Sequence, residues 1–177
     1  ENASDKIDLV RSLISDFKNA LVTPPEAMSR AESEGDYFAA TIYEAYERHL
    51  RAYNAVDFDD LIQRTATLLD HPTMAQWVLF RLDGGIDHIL VDEAQDTSPA
   101  QWQVIERLTD EFTSGQGARD VARSLFVVGD PKQSIYSFQG ADIAVFEAVR
   151  DRFRQDFEAV GQPMQQRGLA HSFRSSP

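Results

Sequence analysis

Apolar residues recur at three- and four-residue steps through the first half of the chain, then switch to short unbroken runs. From Ser4 to Leu21, the positions Ile7, Val10, Ile14, Phe17 and Leu21 form one stripe. They predict an amphipathic helix capped by Ser4 and stopped by Pro24-Pro25. A second helix over residues 36–53 carries Ile42, Tyr46, Leu50 and Tyr53 on one face. A third, beginning near Asp57, carries Phe58, Leu61, Ile62, Thr65 and Leu69. Nothing before residue 85 reads as a strand. The run Ile86-Asp87-His88-Ile89-Leu90-Val91 is short, β-branched and followed by Asp92-Glu93, the pattern of a buried parallel strand ending in acids. Ser98-Pro99-Ala100-Gln101 has the form of a helix start with a capping box, and Trp102, Ile105, Leu108 and Phe112 give that helix its stripe. After a loop with Gly115 and Gly117, Leu125-Phe126-Val127-Val128 forms a second run closed by Gly129-Asp130-Pro131. A helix over residues 142–160, with Phe146, Val149, Phe153 and Phe157, leads to a short strand near Leu169. The alternation in the second half predicts a parallel sheet with right-handed crossovers. The expected division is a helical region over residues 1–80 and an α/β region over residues 81–177.

Composition narrows the chemistry. The 177 residues suit one domain, or one domain with an appendage, and 42% hydrophobic residues suffice for a core. The absence of cysteine excludes a disulfide scaffold, a zinc finger and a thiol nucleophile. Four scattered His without an H-x-x-x-H spacing give a zinc hydrolase little support. No apolar run approaches the roughly 20 residues that cross a bilayer, and Glu1-Asn2-Ala3-Ser4-Asp5 does not resemble a signal peptide, so the expectation is a cytoplasmic protein without a membrane partner. The net charge of −12 argues mildly against an autonomous nucleic-acid binder. Neither half is a basic arm: residues 1–80 hold 7 basic and 14 acidic side chains, residues 81–177 hold 10 and 15.

The candidate chemistry lies at the two strand ends. In open α/β sheets, ligands gather beyond the carboxyl ends of the strands, and neighbouring strands would bring Asp92-Glu93 and the Gly129–Gln133 loop to one crevice. An acid such as Asp92 suits Mg²⁺, which prefers hard oxygen ligands; a second acid, Glu93, can orient and deprotonate a water. The amide of Gln133 can reach a phosphate oxygen or the same water. The bland alternative is a solvated acidic turn ahead of a helix. Gln95 and the second loop weigh against it.

Four segments then carry a family resemblance. Val91-Asp92-Glu93-Ala94-Gln95-Asp96-Thr97 resembles motif II of the superfamily 1A helicases, the UvrD/Rep/RecB group. The stretch from Val128 through Gly129-Asp130-Pro131-Lys132-Gln133-Ser134-Ile135-Tyr136-Ser137-Phe138-Gln139-Gly140 to Asp142 resembles motif III. Ser172-Phe173-Arg174-Ser175 is similar to the start of motif IV, and Asp57-Phe58-Asp59-Asp60-Leu61 to the D-F-x-x-L segment upstream. The resemblance spans residues 37–177; residues 1–36 match only in being helical. The Asp-Pro-Lys-Gln form and Phe-Gln-Gly look most like the AddA or RecB branch, with AddA favoured; these are helicase subunits of helicase–nucleases that process double-strand breaks.

The resemblance implies roles residue by residue. Asp92 matches the acid associated with Mg²⁺, and Glu93 the base for water attack on ATP. Gln133 matches the glutamine that senses the γ-phosphate, and Arg174 the arginine that reaches it. Tyr136 and Phe138 match aromatic positions that stack on single-stranded bases. Asp57, Asp59 and Asp60 read as a helix N-terminus that favours the dipole. Two departures stand out. Gln139 replaces a common Arg, and no G-x-x-x-x-G-K-[ST] phosphate cradle is present, since Lys6, Lys18 and Lys132 all lack a preceding Gly. The implied fold is α/β, a partial RecA-like P-loop NTPase domain without its Walker A segment, preceded by a helical subdomain. The implied protein is a bacterial, cytoplasmic, ATP- and Mg²⁺-dependent DNA helicase of which this chain is an inactive piece. It would act on single-stranded and double-stranded DNA ends beside an AddB-like subunit. A non-catalytic adaptor with a degenerate nucleotide fold and a Mg²⁺-dependent phosphohydrolase using Asp92, Glu93 and Asp130 remain the alternatives.

Overall fold

The computed structural model describes residues 3–113, 122–133 and 142–168. Five helices come first: α1 (Ala3–Asn19), α2 (Pro24–Arg30), α3 (Glu34–Ala52), α4 (Phe58–Leu69) and α5 (Met74–Asp83). Strand β1 (His88–Val91), helix α6 (Pro99–Thr113), strand β2 (Ser124–Val127) and helix α7 (Ile143–Ala159) follow, with short 3-10 turns at Ala94–Asp96 and Pro131–Gln133. The described residues are therefore mostly helical, with one parallel two-stranded sheet. The strand expected near Leu169 and the loop with Gly115 and Gly117 lie outside the described residues.

Local signals explain most element boundaries. Asp57 caps α4 by accepting the Asp60 N–H at 2.7 Å, while Asp60 accepts the Asp57 N–H at 3.1 Å. Ser98 and Gln101 exchange the same pair of bonds ahead of α6, at 2.9 and 3.4 Å. Asp142 accepts the Ala144 N–H at 2.8 Å to start α7. Pro24-Pro25, expected to stop a helix, instead begins one. Thr23 is the cap, its N–H donating to Glu26 at 2.8 Å, and proline fits the first turn because the N–H it lacks would have had no partner there. Helix α5 has no counterpart in the apolar spacing.

Two cores form. In the front, Ile14, Val22, Ala27, Ala40 and Tyr43 pack together, with Phe17 stacked on Tyr43 at a ring separation of 5.6 Å. In the back, Val91, Ala94, Trp102, Phe146, Val149, Phe153 and Phe157 pack between the sheet and helices α6 and α7. Helix α4 lies against α1, α5 and α6, and Asp70 at its end pairs with Gln103 and Arg107 of α6.

Which face turns inward differs from the expected pattern at three places. On α3 the fully buried residues are Ala39, Ala40 and Tyr43; of the expected stripe, Ile42 and Tyr46 are half-buried against that core and Tyr53 is exposed, and with Leu50 they line an open apolar groove of about 370 Å³. On α4 the buried residues are Asp60, Ala66 and Leu69, whereas Phe58 is 87% exposed and Leu61 51%. The cause is Lys18 of α1, which requires carboxylates on the inward face. The strands are covered on one face only: Val91 is buried, but Leu90 and Phe126 are 67% and 63% exposed, so the expected fully buried strand is half covered. No helix among the described residues is long and apolar enough to cross a membrane.

Candidate functional site

Strands β1 and β2 are direct parallel neighbours, in the register His88↔Ser124 to Val91↔Val127. Both carboxyl ends therefore open on the same side. The ladder runs one step beyond the strands: the Val128 N–H donates to the Val91 carbonyl at 2.8 Å, and the Ala94 N–H to the Val128 carbonyl at 2.9 Å. Between these two bonds the chain must turn away over two residues, Asp92 and Glu93. Both side chains stand exposed at the mouth.

The turn is tight. Glu93 has φ 51° and ψ 43°, the left-handed conformation that costs a residue with a Cβ roughly 1–3 kcal/mol. The Asp92 carboxylate accepts the Glu93 N–H at 3.0 Å and so caps the turn from inside. Across the mouth, Asp130 accepts the Lys132 N–H at 3.0 Å and begins the turn Pro131–Gln133.

Gln95 joins the two loops. It is 2% exposed, and its amide N–H₂ donates to Glu93 Oε2 at 2.7 Å and Asp96 Oδ2 at 3.2 Å. Its Oε1 accepts the Asp130 N–H at 2.9 Å. Gly129 passes close over it. A Cβ there would sit 3.0 Å from Gln95 Oε1, 3.0 Å from the Ala94 Cβ and 3.2 Å from the Gln95 nitrogen, so any larger residue would make these neighbours give by a few tenths of an ångström. The sequence singled out Gln95 only as part of a motif; its bridging contact depends on β1 and β2 being neighbours.

Of the residues with expected roles, the structure brings Asp92 and Glu93 together with the Gly129–Gln133 loop, whose last residue closes a 3-10 turn. Tyr136, Phe138, Gln139 and Arg174 lie outside the described residues. The donor set suits magnesium in part. Asp92 offers an exposed hard oxygen, but no group of three or more His, Cys, Asp or Glu among the described residues can hold a metal alone. An ion there would complete its shell with water and phosphate oxygens, as Mg²⁺ commonly does.

A second cluster of acids has a different character. Lys18 of α1 is fully buried, and its ammonium lies 2.7 Å from Glu47, 2.7 Å from Asp57 and 2.8 Å from Asp60. The Tyr46 hydroxyl donates to Asp57 at 2.9 Å, and Ser15 and Asn19 donate to Asp59 at 2.8 and 3.3 Å. Burial works against the Lys18 charge, but the hydrogen bonds to Asp57, Asp60 and Glu47 outweigh it and raise its pKa. Burial likewise pushes Asp57 up, yet the bonds from Lys18, the Asp60 N–H and Tyr46 hold it below the ordinary 3.8. Desolvation pushes Tyr43 beside them up to about 12. Asp57 does cap α4, as the sequence suggests; its larger part is as an anchor for α1, which no local pattern signals.

With these features in place, the class of protein follows. Residues 1–154 match the UvrD/REP helicase N-terminal domain, and the chain belongs to that family. The match starts at residue 1, so α1 and α2, unmatched by the motifs, belong to the family's domain as well. Among individual relatives, the ATP-dependent DNA helicase UvrD1 of Mycobacterium bovis is 40% identical over 145 residues, covering 78% of this chain and 18% of the relative. UvrD1 of Mycobacterium leprae is 39% identical over 148 residues, with the same two shares. The ATP-dependent DNA helicase PcrA of Staphylococcus aureus is 38% identical over 130 residues, covering 73% of this chain and 16% of the relative. The chain thus spans less than a fifth of the length of these relatives.

Proposed function

We propose that this chain forms part of the first motor domain of a bacterial ATP-dependent DNA helicase, and that the mouth at the ends of β1 and β2 is its nucleotide-hydrolysis centre. One observation carries the reading. In a chain of the UvrD/REP family, parallel pairing of β1 and β2 sets Asp92-Glu93 and the Gly129–Gln133 loop side by side at one sheet end. On this reading the 81–177 region is a partial RecA-like domain, and residues 1–80 are helices packed on or inserted into it.

In that centre Asp92 holds magnesium, which when bound offsets charge on the phosphates. Glu93 accepts the proton of the attacking water. Gln133 and Arg174 contact the γ-phosphate, where fixed donors and cations stabilise developing charge. Tyr136 and Phe138 stack on single-stranded bases. The phosphate cradle is supplied by the parent protein outside this chain's own sequence, so the chain alone turns over no ATP. The acidic net charge is compatible with DNA binding because several domains of a motor share the DNA path. The Asp130-Pro131-Lys132-Gln133 and Phe138-Gln139-Gly140 forms favour an AddA-like subunit acting at double-strand breaks with an AddB-like partner in the cytoplasm.

Substitution of Glu93→Gln in the full-length parent tests the centre. The amide keeps the shape and removes the base, so ATP hydrolysis should fall ~10²–10⁴-fold while ATP binding stays within a few-fold. Unchanged turnover would reduce Glu93 to a surface acid and remove the reading.

A further inference from the structure

Resting on that reading of Glu93, we infer that Gln95 is a positioning residue that aims the Glu93 carboxylate and ties its position to the Gly129–Asp130 loop. Through one side chain Gln95 bonds to both loops of the mouth. Its amide has two ends with opposite hydrogen-bonding character, and each end is used on a different loop. The donor end holds Glu93 Oε2 at 2.7 Å, and the acceptor end holds the Asp130 N–H at 2.9 Å. Gln95 is itself 2% exposed, so water does not compete for these bonds.

Two features make the link consequential. Glu93 is an exposed side chain with several rotatable bonds, so it needs an external bond to hold one rotamer. The Gln95 bond to Oε2 supplies it. Gly129 packs on the same amide, where a Cβ would sit 3.0 Å from its oxygen. A shift of the Gly129–Asp130 loop therefore moves the Gln95 acceptor and, through the rigid amide plane, the donor on Glu93. The loop that leads to Gln133 and the base are thus coupled through a single planar group. An isosteric glutamate at 95 would keep the acceptor for Asp130 and destroy the donor for Glu93, which separates the two halves of the link.

The test uses the full-length parent, with ATP and single-stranded DNA, and compares Gln95→Ala, Gln95→Glu and Glu93→Gln. Gln95→Ala should lower kcat on the order of 10²-fold, the scale of a roughly 1 Å misplacement, with KM for ATP within about three-fold of wild type. In the nucleotide-free protein, the Asp130 amide should exchange with solvent faster in Gln95→Ala and stay protected in Gln95→Glu. Gln95→Glu removes the donor that holds Glu93, so it should lower kcat to a similar degree while KM for ATP stays near wild type. Wild-type kcat in Gln95→Ala beside a dead Glu93→Gln enzyme overturns the inference and leaves the hydrolysis centre standing. Wild-type kcat in Gln95→Glu overturns it too, as does a loss confined to KM. Full activity in Glu93→Gln removes the hydrolysis centre and this inference together. Should Gln95→Ala fail to fold, the kcat and the amide protection of Gln95→Glu decide alone.

Discussion

The helical front and the strand-end mouth both concentrate carboxylates near a helix start, and the fold uses them in opposite ways. Around Lys18, the acids Glu47, Asp57 and Asp60 turn inward onto one fully buried ammonium, and Tyr46 and the α4 backbone take up further lone pairs. At the ends of β1 and β2, Asp92 and Glu93 face solvent, while the polar group held inside is the neutral Gln95. Charge paired within the protein fastens α1 to α3 and α4. Charge left at the surface above an ordered, neutral clamp remains available to a ligand. A count of acids per segment cannot tell these apart; the location of the counter-charge can.

The largest expected effect breaks the front. Lys18→Met leaves three carboxylates facing one another in a buried site, which should cost about 4 kcal/mol in denaturant unfolding of the chain. Adding Asp60→Leu to it should recover part of that loss. A cost below about 1 kcal/mol would mean that the network is decorative and the front is held by its apolar core. Phe153→Ala comes next, at about 3 kcal/mol, because this ring is 4% exposed and packs edge-on against Trp102 in the back core.

Acid titration should separate the two regions more gently. Asp57 has a folded-state pKa below its ordinary value, so its contribution is present above pH 3.8 and is lost as pH falls through the lower folded value. The folded-state pKa of Lys18 is raised, so its contribution is complete below pH 10.5 and is lost only as alkaline pH rises through the folded value. Melting temperature followed from neutral pH downward should therefore drop below pH 3.8, and Asp57→Asn should flatten that drop. A drop of equal size in Asp57→Asn would place the acid sensitivity elsewhere. The smallest effect is Phe126→Ser. The same ring type, 63% exposed on the open sheet face, should change the stability of this chain by no more than about 0.5 kcal/mol. A loss near that of Phe153→Ala would show that the open face is covered in solution.

Much of the fold was legible from the amino-acid order alone. Caps and apolar periods are local, so α1, α3, α4, α6 and α7 and both strands lie close to where the pattern predicts them. A parallel sheet followed from the βαβ alternation, while the direct pairing of the two motif-bearing strands was a condition that the structure meets. Helix α2 was missed because a proline pair reads as a stop unless the Thr23 cap before it is weighed, and α5 because its apolar residues make no clear stripe. Tertiary structure alone decided which side of α4 turns inward. Asp60 is buried and Phe58 exposed because the counter-charge comes from Lys18, 42 residues away on another helix. The same holds for Gln95, whose role arises only when a parallel strand pairing brings Asp130, 35 residues on, to its acceptor end. Helix and strand signals depend on neighbours within a few residues. The partners of a buried charge or amide depend on which elements meet, and that is settled only when the chain packs.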